Sequence, residues 1–471
     1  MTDIYESQFD FTYAPGTSME QIIGFEMAGM IWSSYIEDDV TIRIYVESTS
    51  ELPDEVIGAA LPGKKKKEDY DKINDRLFDD ITSSNDQIAY DNLPSDDKEI
   101  NIVIDGVELE KTKEFRLTNA NAKSLDLLDD DRDKLDGYIV VNDLTGNSTV
   151  GWDFDALRSD DIQGNEIDFV SVAMHEVGHI LGFNSGIDDN EWLEVLAESQ
   201  EEEEELKGKD FKFATPLDLY RYSESSTEIG TIDLSTGGNP FFSIDGGSTV
   251  LGYFANGEYT NFGGDGYQAS HWQQNSSQGI MNPILPVGER RNITDLDLTA
   301  MDVIGWDINT SNELDWSQMY DEAVANAEEA VVEDRSEDVE KMIEESKYDG
   351  RRRRRSTSVN YFLQFGFWQY TTFDNVDAPE VIVDDELVSE TEVDTGVDDE
   401  EIDESATDDD DDEPNYDLTE EDPDSDDSDA EEIDESTTDD DDDELNYDLA
   451  EEDITGSSAT SWGEDSLLSE T

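Results

Sequence analysis

Three histidines are all that this chain of 471 residues contains, and two of them stand four apart in His175-Glu176-Val-Gly-His179. Residues i and i+4 share one face of an α-helix, so both imidazoles can address a single point. The pattern H-E-x-x-H on a helix is a two-histidine metal clamp with a carboxylate beside it. The residues around it are apolar, among them Phe169, Val170, Val172, Met174, Ile180 and Leu181. The motif therefore sits in an apolar helix. Gly182 follows three residues after His179, where a helix can end at positive φ. A catalytic zinc site takes three protein ligands and keeps one position open. His271 is the one histidine left to complete it, with Asp188, Asp189 and Glu191 as carboxylate alternatives. The competing reading is a pair of structural core histidines.

Composition narrows the field. Cysteine is absent, which removes disulfides, thiolate metal sites and a thiol nucleophile. The net charge is −95. Of the 124 acids, 46 lie after Arg355, leaving 78 acids against 29 bases in residues 1–355, or −49. The acidity therefore belongs to the body as well as the tail. It suits a strongly hydrated, self-repelling, halophilic surface and argues against nucleic acid as a partner. No stretch approaches the roughly 20 apolar residues of a membrane span. The opening residues Met1-Thr-Asp-Ile-Tyr-Glu-Ser7 lack the basic start and apolar core of a secretory leader. Location is read as extracellular, with cytoplasmic as the alternative, and the oligomeric state stays open.

Along the chain, Gln8 to Tyr13 alternates like a strand, and Ser18 is placed to cap a helix to about Ser34. Val40 to Val46 and Gly137 to Asn142 read as strands, with Thr149 to Phe154 as another. Leu117 to Leu128 reads as helical, and Lys64 to Lys67 as a polar loop. Thr294 caps a helix to about Val303, and Glu313 to Lys347 carries a helical pattern. Arg351 to Arg355 and the aromatic run Tyr361 to Tyr370 follow. From about Val376 the chain is acidic and of low complexity, with residues 400–422 repeated at 431–453, a period of 31. Such a segment buries too little apolar area to offset its ordering entropy, so disorder is expected. Calcium can gather on it only loosely, because Asp427 stands where a tight calcium loop needs glycine at its sixth position.

HEVGHILGF at 175–183 resembles the metzincin clan of zinc endopeptidases. The clan's usual third histidine, six residues after the second, falls here on Ser185. The chain is more similar to leishmanolysin-like members, which carry an insertion before that ligand. Ala269-Ser-His271-Trp272 comes 92 residues after His179, and Gly279-Ile-Met281 follows with a methionine ten residues beyond His271. A group of bacterial, largely cyanobacterial, metalloproteases has the same HEVGHILGF…ASHW…GIM arrangement.

The resemblance implies an α+β fold: a twisted mixed sheet, an active-site helix and a smaller C-terminal subdomain. His175, His179 and His271 would hold one Zn²⁺, Met281 would lie beneath it, and Glu176 would act as general base on a metal-activated water that cleaves a peptide bond. An edge strand within 137–154 would pair with an extended protein or peptide substrate. The expected organisation is a catalytic domain at 1–310 with an insertion at 184–270, then an accessory helical segment at 311–349. An Arg-rich and aromatic segment at 350–375 and the acidic tail at 376–471 complete the chain. Two alternatives stand beside the peptidase: a zinc hydrolase for a non-protein amide or a single dedicated substrate, and a catalytically silent acidic binding protein.

Overall fold

The computed structural model describes residues 7–346, apart from 54–55, 95–98, 130–133, 148, parts of 190–205, 275–278 and 312–313, together with 367–371. The chain divides into a compact unit, Met1–Ser389, and a second unit, Glu390–Thr471. The second unit, the Arg351–Arg355 run and most of the aromatic run lie outside the described residues.

The fold is α+β. In chain order it begins β1 (Phe9–Tyr13), α1 (Met19–Ser33), β2 (Ile42–Thr49), β3 (Val56–Pro62), β4 (Lys64–Asp69), α2 (Tyr70–Asp79) and α3 (Ser84–Asp91). There follow β5 (Ile100–Ile104), β6 (Val107–Thr112), β7 (Glu114–Thr118), α4 (Asn119–Ser124), β8 (Gly137–Asn142), β9 (Gly151–Asp153), β10 (Glu166–Asp168) and α5 (Phe169–Leu181). After α5 come short strands: β11 (Arg221–Tyr222), β12 (Ile232–Asp233), β13 (Phe241–Phe242), β14 (Gly252–Tyr253), β15 (Ile284–Pro286), β16 (Val331–Val332) and β17 (Phe367–Thr371).

The main sheet has seven strands in the order β15-β17-β3-β8-β2-β1-β16. β1, β2 and β8 are parallel, and β3 runs antiparallel to β8. Every residue of β8 is buried, because the sheet is covered on both sides. On one side lie α1 and α5, which pack against each other and the sheet. Phe25 of α1 meets Phe169 of α5 edge to face at 5.5 Å, and Trp32 Nε1 donates to the Met174 carbonyl at 2.9 Å. A second cluster, with Tyr45, Leu61, Tyr138 and Val140, packs against Val339, Met342 and Ile343 of the helix Ser336–Ser346.

Ser18 caps α1 in a reciprocal capping box with Gln21, and Thr118 caps α4. The expected helix over 117–128 is confined to α4, since Glu114–Thr118 is drawn into a ladder with β4. That pairing also turns the Lys64–Lys67 stretch, expected as a loop, into a strand. The helical pattern at 313–347 is broken into Trp316–Glu329 and Ser336–Ser346 where β16 pairs with β1. The first of these helices buries Met319, Ala323 and Ala327, and it packs against α1. Within 137–154, where an edge strand is expected, β8 lies between β2 and β3 and offers no free edge, while β9 pairs with β10 alone in a separate two-stranded sheet.

Candidate metal centre

The motif helix α5 is fixed at its start by Asp168, whose carboxylate accepts from the Ser171 amide at 3.0 Å. Arg158 Nη2 reaches the same carboxylate at 2.7 Å, and Arg290 ties Asp153 at 2.6 Å into the group. At the other end Gly182 takes φ +123° and stops the helix. His175, Glu176 and His179 are thereby held, fully buried, between a capped start and a fixed stop.

His271 arrives from the far side of the insertion and is set by hydrogen bonds and aromatic packing. Its carbonyl accepts from Ala255 N at 3.0 Å. Trp272, wholly buried, packs on Phe183, Phe242 and Phe254. Its Nε1 donates to Asp297 at 2.8 Å. Asp297 also accepts from the amides of Ile280 at 3.0 Å, Met281 at 3.3 Å and Thr294 at 2.8 Å. One buried carboxylate thus joins the His271 segment, the Met281 turn and the helix Asp295–Val303. Asp188 supports the approach to His271 by accepting from Ala269 N at 2.5 Å and Glu258 N at 2.9 Å.

The three imidazoles converge. Their ligand atoms all lie within 4.8 Å of one another, with Nε2 of His175 and His179 3.1 Å apart. Tetrahedral coordination with Zn–N near 2.0–2.1 Å requires N···N separations of about 3.3 Å. Each Nδ1 contacts a backbone carbonyl: His175 that of Ile280 at 2.8 Å, His179 that of Phe183 at 2.8 Å, and His271 that of Gln268 at 3.1 Å. Carbonyls only accept, so the proton sits on Nδ1 and each Nε2 presents a lone pair that can ligate a cation. Burial, joined by the neighbouring imidazoles, holds His175 and His271 well below the ordinary histidine range. Burial alone lowers His179 to about 4 against the pull of its Phe183 contact. All three are neutral, as metal binding needs. These residues can hold a metal ion.

Glu176 stands beside them with both carboxylate oxygens buried and without a hydrogen-bond partner, as is Nε2 of His271. Burial raises its pKa well above the carboxylate range. Two glycines make the room. A Cβ on Gly58 of β3 would lie 2.6 Å from Glu176 Oε1, and one on Gly178 would lie 2.5 Å from Met281 Sδ. Gly58→Ala therefore displaces the carboxylate while leaving the histidines alone. The expected result is hydrolytic activity lowered at least tenfold with metal content unchanged, read by turnover and metal analysis on one preparation; unaltered turnover would show that Glu176 has slack.

The structure brings His175, His179 and His271 together, with Glu176 next to His175 in α5 and Met281 packed at Gly178 of the same helix. The carboxylate alternatives do not join them: Asp188 is occupied as above, and Asp189 pairs with Arg116 at 3.2 Å. Glu191 lies outside the described residues. Reading from sequence missed Gly58, whose role is set by the pairing of β3, and Asp297, whose one visible signal is its place three residues after the cap Thr294. No family model, curated protein or solved structure matches this chain.

Proposed function

We propose that the protein is a zinc-dependent endopeptidase of metzincin-like type. The observation that carries this reading is the convergence of three neutral imidazoles, each anchored through Nδ1, beside a buried carboxylate with no partner. An all-imidazole set suits zinc among the borderline transition metals, and Met281 packed under Gly178 agrees with the resemblance. When bound, zinc supplies Lewis acidity, polarising the scissile carbonyl and acidifying a water.

The chain's own groups do the rest. His175, His179 and His271 would supply three ligands, the number that leaves a fourth position of a tetrahedral ion for a reactant. Glu176 accepts the proton of the attacking water and passes it to the leaving amide nitrogen. Burial disfavours its charged form, and the positive charge of a bound zinc would favour that form, so the carboxylate would be ionised when the site is loaded. Asp297 and Asp168 act as positioning residues, one through the His271 segment and one through the start of α5.

The test is cleavage of a reduced, unfolded protein by the full chain in high salt, with and without a chelator. Cleavage that stops on chelation and returns with zinc supports the reading. Stoichiometric zinc without cleavage of any unfolded protein, even after the change to residue 369 described below, contradicts it.

We also propose that the acidic surface is adapted to salt. The −49 carried by residues 1–355 sets like charges against one another across the folded surface, and screening relieves this. The thermal midpoint is expected to rise between low and molar NaCl; a flat or falling curve would contradict the proposal.

A further inference from the structure

The short strand β17, Phe367–Thr371, comes from beyond the last described helix and enters the main sheet between β3 and β15. It runs antiparallel to β3, with Phe367 opposite Ala59, Trp368 opposite Gly58 and Gln369 opposite Val56. It runs parallel to β15, with Gln369 opposite Ile284, Leu285 opposite Tyr370 and Pro286 opposite Thr371. Without it, β3 and β15 would each present an open row of backbone donors and acceptors to the same one-strand slot. Such a slot takes an extended peptide by strand addition.

Its location gives this slot meaning. Gly58, which β17 faces, is the residue whose backbone lies against Glu176 Oε1. β15 begins three residues after Met281. β17 also approaches α5, the helix that bears His175, Glu176 and His179. The partnerless oxygens of Glu176 therefore lie against the strand, β3, that pairs with a segment supplied by the chain's own C-terminal part.

We infer that Phe367–Thr371 is a built-in occupant of the peptide slot, holding the site closed against polypeptide substrates. The inference rests on the peptidase reading for its consequence, though the docking of the strand does not. Because the strand is tethered, it competes at an effective concentration in the millimolar range, so a five-residue ladder suffices against dilute substrate. A substrate segment must displace it and take the same direction, antiparallel to β3 and parallel to β15.

The test uses the full chain carrying Gln369→Pro, which removes an amide from the middle of β17 and cannot continue a ladder. A second full chain replaces Phe367–Thr371 with Gly-Ser-Gly-Ser-Gly. Both are checked for wild-type zinc content and far-ultraviolet dichroism, and two readouts follow. Backbone amide exchange across Val56–Ala59 and Ile284–Pro286 is expected to accelerate at least about tenfold in both variants, and cleavage of an unfolded protein to rise by a similar factor. A synthetic peptide covering 361–375 should then inhibit the variants in trans. Faster exchange without cleavage in any chain would uphold the docked strand and overturn the peptidase reading. Cleavage by all chains at one rate, with exchange unchanged, would overturn the occlusion and leave the peptidase reading standing.

Discussion

Glu176→Gln is expected to keep the fold and the metal and to lose peptide hydrolysis by roughly 10²–10⁴-fold, the usual contribution of a positioned general base. Glutamine has nearly the same shape and no basic carboxylate to take up a proton, so the surroundings keep their places while the base is lost. Stability should hold or rise, because the buried carboxylate has no hydrogen-bond partner to lose and its burial already disfavours the charged form. The pairing of unchanged zinc with collapsed turnover separates chemistry from structure. Comparable turnover in wild type and variant would remove Glu176 from the reaction. A drop in zinc equal to the drop in rate would make it a structural partner of the site.

His271→Ala is expected to act on the metal first. Two imidazoles on one helix remain, and the third direction of the ligand set is lost. Loss of an outer partner of a metal ligand weakens metal binding by roughly 10–100-fold, and loss of the ligand itself should exceed that, measured by competition with a chromogenic chelator. The aromatic packing of Trp272 on Phe183, Phe242 and Phe254 is untouched, so the fold should persist. Unchanged zinc affinity would exclude His271 as a ligand and return attention to carboxylates. Asp297→Ala gives a useful contrast, since it loosens the segment carrying His271 without removing a ligand.

The site was legible from sequence to the extent that chemistry is local. HEVGH fixes two imidazoles on one face by helical geometry alone, and the scarcity of histidine left His271 as the remaining nitrogen donor. Strands β1, β2 and β8 were visible because alternation or a short apolar run marks them. What escaped depends on pairing at long range. Val56-Ile-Gly-Ala-Ala-Leu-Pro62 has no alternation, since both faces are buried, and becomes a strand through β8. Lys64–Lys67 reads as solvated loop until β7 supplies its ladder. The aromatic run at 361–370 gave no hint of its partner, because the slot between β3 and β15 exists only in the folded sheet. Gly58 was invisible for the same reason: its importance lies in the carboxylate 118 residues later that it allows to approach.

The measurement that bears most directly on the central claim is the metal content of the full chain purified without chelators, by mass spectrometry of the elements. One zinc per chain, lost on dialysis against a strong chelator and absent when His175, His179 and His271 are all alanine, is the predicted result. A folded wild-type chain that carries no zinc and takes none up when it is supplied would contradict the account at its base.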